Sequence, residues 1–289
     1  MACYNGRDSL SYAISSLFLQ TYDNWELIFV DDGSIDNSID FVRKIDDKRI
    51  KIFQLDKNYG RGYAYQVGNN NSKGEYIAIL DVDDWWYSKK LEKQVKYLEK
   101  NKSVSLLSTG MIVFDSDFIP YGIRNCHEIT NNSSTGLKSS PPLAFATICM
   151  RRRIIEKYEY DNRLSIAQDM DFLQRICLKE TFANLPEHLY AYYESQNYNW
   201  DKIKRAYLSY IFALKKFQVA YPFKSRIEII KCYLKLMIYW LFNKLLISKL
   251  LVLIRNSNVD EEMKLLFFEE RDNIENYQKN FLVMNNNNS

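Results

Sequence analysis

Two acidic clusters about fifty residues apart hold the side chains best suited to chemistry. Asp31-Asp32-Gly33-Ser34 follows the apolar run Leu27-Ile28-Phe29-Val30, and Asp81-Val82-Asp83-Asp84 follows Tyr76-Ile77-Ala78-Ile79-Leu80. Carboxylates separated by single spacers offer an all-oxygen donor set that suits a hard divalent cation, Mn2+ or Mg2+, and a cation held there can hold a diphosphate. Three carboxylates within four residues repel one another unless a positive charge stands near them. The chemistry indicated is that of a metal-bound nucleotide in an enzyme.

Each cluster must be delivered by the element before it. Short β-branched and aliphatic runs read as buried strands, and in an open α/β sheet ligands sit at the edge where such strands end. The spacing predicts a helix over 7–21, a strand over 27–30, a helix over 37–45 and a strand over 50–55. A Gly-bearing turn, Asn58-Tyr59-Gly60, leads to a helix ending near Lys73-Gly74. A strand over 75–80 and a charged surface helix over 88–100 follow, then strands over 104–114 and 143–150 and a helix over 169–180. Alternation of this kind predicts an α/β fold with a mostly parallel sheet flanked by helices. The long polar stretch 115–142 between them is expected to be a functional lid.

The chain has 289 residues, 47% of them hydrophobic, enough for a full core with an appendage. Its net charge of +3 hides an uneven distribution: 200–255 carries twelve Lys or Arg against two Asp or Glu, and 256–289 three against seven. Five cysteines without a Cys-x-x-Cys pair fit free thiols in a reducing compartment and argue against a zinc site or a disulfide framework. The opening residues lack the basic start and apolar core of a signal peptide, so a cytoplasmic location is expected.

An ordered set of segments within 1–195 resembles the family 2 glycosyltransferases, inverting enzymes of the GT-A fold that use nucleotide sugars. The segments are Tyr4-Asn5, Ser16 to Tyr22, Glu26 to Ser34 with Asp36, Asn58-Tyr59-Gly60, Lys73 to Tyr76, Asp81 to Asp84 and Gln168-Asp169. A lone Asp-x-Asp is weak; seven segments in order are specific. The resemblance implies that Asp32, with Asp31 beside it, reads the nucleobase, in a pocket lined by Tyr4. It implies that Asp83 and Asp84 hold the metal, that Asp81 contacts ribose or supports them, and that Asp169 is the general base. Blander roles are open beside these: Asp31 and Asp32 as caps of the helix beginning near Asn37, Tyr4 as core packing. Asp171 cannot share the role of Asp169, because at helical spacing it points roughly 200° away.

Several positions depart from the family pattern. Gln168 stands where the family usually has Glu, and Ala64-Tyr65-Gln66 lacks the usual Arg, so Arg61 is the candidate phosphate contact or else a surface arginine. Tyr192-Tyr193-Glu194-Ser195 replaces a Tyr-Arg-x-His-like segment, with His188 read as structural. The chain opens at Met1-Ala2 where the family has an apolar strand, so the first strand is expected to be truncated, with either a true start a few residues upstream or a truncated product.

The expected organisation is a GT-A domain over 1–198, a basic helical C-terminal region over 199–284 and a disordered tail over 285–289. Within 226–255 lysines interrupt every apolar run, so no spanning helix is expected. Two short helices broken near Asn243 are expected instead, docking on an anionic membrane surface or on protein. No nucleic-acid module is visible. The function expected is metal-dependent transfer of a sugar, from UDP-sugar in the first instance, to a glycan or lipid-linked acceptor. The resemblance points to bacterial cell-surface polysaccharide or lipopolysaccharide assembly by an enzyme expected in the cytoplasm, free or peripheral on the inner face of the cell membrane. The alternative is a catalytically inactive nucleotide-sugar-binding protein of the same fold.

Overall fold

A computed structural model describes residues 1–125, 127–133, 137–194, 199–245 and 256–286. Three parallel strands, β1 (Ala2–Cys3), β2 (Leu27–Asp31) and β3 (Ile50–Gln54), form one sheet in that order. The helices between them, α1 (Leu10–Phe18) and α2 (Ser38–Arg43), follow the predicted alternation. α1 buries Leu10, Ala13, Ile14 and Leu17 on one face, as the spacing requires. α3 (Arg61–Asn71) then leads to β4 (Tyr76–Ala78), and its cap falls at Ser72 rather than at Gly74.

A second, seven-stranded sheet comprises β4, β5 (Trp85–Trp86), β6 (Leu106–Phe114), β7 (Pro120–Arg124), β8 (Ile129–Ser133), β9 (Cys149–Arg151) and β10 (Thr181–Tyr193). Its spine is β4-β9-β6-β10-β5, with β7 beside β6 and β8 beside β10. Only β6 and β10 run parallel within it; the other pairs are antiparallel. Parallel geometry is thus confined to β1–β3 and the β6–β10 pair. The expected lid over 115–142 instead contains β7 and β8: a turn at 115–119 folds β7 straight back on β6, the short link that only antiparallel neighbours allow. Cys126 and 134–136 of that stretch lie outside the described residues.

Helices α4 (Lys90–Lys100), α5 (Arg152–Lys157) and α6 (Gln168–Cys177) flank this sheet, and a single 3-10 turn over Phe145–Thr147 replaces most of the strand expected at 143–150. No hydrogen-bonded ladder joins β2 to β4 among the described residues. A cavity of about 600 Å3 runs along that gap, walled by Met1, Leu17, Ile28, Ala64, Ile77 and Ile79. The Met1 ammonium donates to the Ile28 carbonyl at 2.9 Å, and burial lowers its pKa to about 6.

The C-terminal region comprises α7 (Trp200–Lys215), α8 (Pro222–Lys244) and α9 (Glu261–Asn286). α7 and α8 pack through Tyr210, Ile211, Leu214, Ile229, Cys232 and Leu236. α9 returns to the first part of the chain: Phe267 and Ile274 are buried with Trp85 and Tyr87, Glu275 accepts from the Tyr12 hydroxyl at 3.0 Å, and Glu270 accepts from Ser88 at 2.7 Å. Its helix extends through Asn286, two residues into the expected disordered tail. α8 is one helix that ends beside Asn243, where the break was expected; 246–255, the place of the second expected helix, lies outside the described residues.

Candidate active site

The turns after β1 and β2 are knitted together by the first acidic cluster and its neighbours. Asn5 N–H donates to Ser34 Oγ at 2.9 Å, Ile35 N–H to Asn5 Oδ1 at 2.9 Å, and Arg7 N–H to Asp36 at 2.9 Å. Gly33 makes the crossing possible: its φ is +73°, and a Cβ there would lie 2.5 Å from the Lys57 carbonyl carbon. Asp32 accepts from the backbone N–H groups of Tyr59 and Gly60 at 2.8 and 2.9 Å, so it fastens the turn that starts α3. It caps that turn and not α2, whose N-cap Asn37 makes no side-chain capping bond. Asp31 is fully buried, and its Oδ1 has no hydrogen-bond partner. Tyr4 stands at the end of β1, 51% exposed rather than packed in the core. Tyr59 is also exposed and stacks on Tyr63, with ring centroids 4.8 Å apart.

The second acidic cluster divides between a cavity and the interior. Asp81 and Asp83 line a cavity of about 690 Å3 whose other charged walls are Arg61, Asp169, Arg124, Glu194 and Lys202. Burial and the neighbouring charge of Asp81 raise the pKa of Asp83, partly countered by Arg61 and Lys202. Asp81 accepts a hydrogen bond from the Tyr65 hydroxyl. Asp84 turns inward: the Tyr190 hydroxyl donates to Oδ2 and Tyr193 N–H to Oδ1, each at 2.7 Å. Both of its oxygens are engaged in pinning β10 to the end of the acidic turn, and it is absent from the cavity wall.

Asp169 reaches the same cavity from the first turn of α6, after Ala167, whose left-handed φ of +63° starts the helix. Its Oδ1 accepts from Met170 N–H at 2.9 Å, and its Oδ2 faces Arg61 Nη2 at 3.3 Å. Burial pulls the Arg61 guanidinium down, but Tyr65, Asp81 and Asp169 outweigh it and hold its proton more firmly than usual. Asp171 points away, as helical spacing requires, and is fully buried against Arg175 at 2.9 Å and Lys216 at 3.0 Å. Asp171→Asn is therefore expected to cost stability, by about 2 kcal/mol in urea unfolding. That is less than the ~3–5 kcal/mol of a fully buried pair, because Arg175 and Lys216 are each 25% exposed. An unchanged midpoint would contradict this assignment.

The family model "Glycosyl transferase family 2" matches residues 1–159, more than half of the chain. The chain belongs to this family of glycosyltransferases. It is 32% identical over 219 residues to EpsE of Bacillus subtilis (strain 168), itself named only provisionally as a glycosyltransferase, covering 73% of this chain and 76% of that protein. It is 40% identical over 160 residues to WfgD of Escherichia coli, named as a UDP-Glc:alpha-D-GlcNAc-diphosphoundecaprenol beta-1,3-glucosyltransferase, covering 55% of this chain and 62% of that one. The fold is similar to that of S. aureus TarS 1-349 crystallised with UDP-GlcNAc, with a TM-score of 0.57 at 18% identity, over 74% of this chain and 64% of that one. The likeness to TarS establishes the GT-A α/β fold expected from the sequence.

In this glycosyltransferase, then, four of the residues singled out from sequence share one cavity: Arg61, Asp81, Asp83 and Asp169. Tyr4, Asp31 and Asp32 lie off its wall at the ends of β1 and β2, and Asp84 lies beneath it. Sequence reasoning missed Arg124 and Lys202. Arg124 comes from the segment read as a lid, and its guanidinium pairs with Glu194. Lys202 lies in the basic region, where nothing local separates it from the eleven other cations of 200–255. The cavity of about 600 Å3 contains none of the candidate aspartates.

Proposed function

We propose that this glycosyltransferase moves a sugar from a UDP-sugar to a hydroxyl of a glycan or lipid-linked acceptor, with inversion at the anomeric carbon. The observation that carries this reading is the convergence of Asp169 with Asp81, Asp83 and Arg61 in one cavity, although Asp169 lies 108 residues from Arg61. Asp169 would take the proton from the acceptor hydroxyl as its oxygen attacks the anomeric carbon. The new C–O bond forms on the face opposite the bond to UDP, which breaks and leaves the electron pair on the departing diphosphate. Arg61, 3.3 Å from Asp169, would fix the orientation of its carboxyl group. Tyr4, Asp31 and Asp32 would stand on the nucleobase side, where exposed Tyr59 adds a second ring. The nucleotide sugar named with TarS and the diphosphoundecaprenol-linked acceptor named with WfgD support donor and acceptor of these classes.

The residues fit a divalent cation, Mn2+ or Mg2+. Asp81 and Asp83 present carboxylate oxygens on one wall, and the charge of Asp81 adds to desolvation in raising the pKa of Asp83, a repulsion that a cation would relieve. Among the described residues no three such side chains stand close enough to hold a metal ion by themselves, so substrate phosphates and water would have to complete its coordination. Asp83, with Asp81, would hold it; Asp84, expected as a second ligand, has both oxygens engaged elsewhere. A bound cation would offset the negative charge of the leaving diphosphate. The lipid-linked acceptor would place the enzyme at the cytoplasmic face of a membrane, in cell-surface polysaccharide or lipopolysaccharide assembly.

UDP release should be measured from a panel of UDP-sugars with a polyprenyl-diphosphate sugar acceptor, in Mn2+ and in EDTA. Release from one donor, lost in EDTA, is the expected result. Tight UDP binding with no release from any donor would instead mark a binding protein without turnover.

A further inference from the structure

α8 has two apolar faces. Ile229, Cys232 and Leu236 are buried against α7, together with Ser225 and Glu228. On the opposite side Ile227, Ile230, Leu234, Met237, Ile238 and Leu241 follow helical spacing and are each between 47% and 58% exposed. A surface helix of a water-soluble protein normally presents charge on that side, and a contiguous apolar strip of this kind marks an interaction surface. Lys224, Lys231 and Lys235 fall along one flank of the strip, and Arg226 and Lys244 along the other. The helix has a single acid, Glu228, which is buried and paired with Lys231 at 2.8 Å. Tyr233 and Trp240, both about half exposed, fall at the edge of the strip, where a ring with one apolar and one polar end sits best at a headgroup boundary.

We infer that the outward face of α8 docks in the plane of an anionic lipid surface, its apolar strip among the acyl chains and its flanking cations among the headgroup phosphates. Charge complementarity favours this occupant: the same face of a second copy would bring these cations against themselves, whereas headgroup phosphates pair with them. None of the described helices is long and apolar enough to cross a membrane, so α8 would lie on the surface rather than span it. The docking surface stands on α8 alone; only its use, bringing the site to a lipid-carried acceptor, rests on the proposed function.

The test is co-sedimentation of the full chain with phosphatidylcholine vesicles and with vesicles also containing phosphatidylglycerol. The wild type should partition at least about tenfold more strongly to the anionic vesicles, and added salt should weaken the difference. The triple variant Leu234→Glu, Met237→Glu, Leu241→Glu changes only exposed positions and should keep the wild-type melting curve while losing vesicle binding. Lys224→Gln with Lys244→Gln should lose most of the preference for anionic lipid. No binding by the wild type, or equal binding by the triple variant, would overturn the inference. So would a wild-type dimer that the triple variant makes monomeric with no vesicle partition, which would make the face a self-association surface. UDP release to a water-soluble acceptor should be unchanged in the triple variant. A wild type that binds vesicles but releases no UDP would sink the proposed reaction and leave the docking surface standing.

Discussion

Asp169→Asn is expected to lower the turnover of sugar transfer by about 10²–10⁴-fold, the range that a positioned general base contributes. Asn keeps the shape and can still accept from Met170 N–H, but it cannot receive the acceptor proton. The binding constant for UDP should move little, because Asp169 sits on the acceptor side of the cavity in the proposed mechanism and the diphosphate meets Asp81 and Asp83. The pair of measurements is turnover at saturating donor and UDP affinity by calorimetry. Loss of UDP binding in parallel with turnover would show that Asp169 shapes the donor site and is not the base. Arg61 complicates the reading in an informative way: with Asp169 neutral, the guanidinium loses its partner at 3.3 Å and becomes available to substrate phosphate. A modest gain in UDP affinity is thus compatible with the assignment.

Asp83→Asn should remove the metal dependence itself. The wild type is expected to gain thermal stability on addition of Mn2+, by an amount that grows as RT ln(1 + [Mn2+]/Kd) and reaches about 2.7 kcal/mol at a hundredfold excess over Kd. The variant should show none of that gain, and its transfer rate should fall by about a hundredfold or more. The pH dependence follows from the raised pKa of Asp83, whose causes are burial and Asp81. In the metal-free protein the folded state binds a proton more tightly than the unfolded chain. Stability is therefore fullest below the unfolded carboxyl value of 3.8 and declines as pH rises through the higher folded value. A cation reverses the decline, so the Mn2+-induced shift in Tm should be larger at pH 7.5 than at pH 5. A shift that persists undiminished in Asp83→Asn would place the cation elsewhere.

The tertiary structure also separates two carboxylates that the sequence treats as equals. Asp83 and Asp84 are adjacent at the end of the same turn, and both were expected as ligands. Tyr190 and Tyr193 supply hydrogen-bond donors to Asp84 from more than a hundred residues away, drawing it into the interior and leaving Asp83 on the cavity wall. Nothing near Asp84 in the chain announces those donors. The same long-range pairing explains why β10 escaped notice: Pro186-Glu187-His188 interrupts its pattern, and the structure absorbs them as a register shift between Leu185 and His188 against β6.

The sequence by itself determined the strands and helices of the first hundred residues except β5. It also determined the acidic turns at their ends and the family that those turns identify. These are local matters: an apolar run of strand length needs burial, and a turn follows where polar residues and glycine interrupt it. Only the tertiary structure decided which aspartates share a cavity, that β7 and β8 occupy the stretch read as a lid, and that α9 returns to cover Trp85. It alone also showed that α8 keeps a second apolar face outward. Those outcomes depend on contacts between residues tens to hundreds of positions apart, where the free energy of burying one group is set by partners that no local pattern encodes.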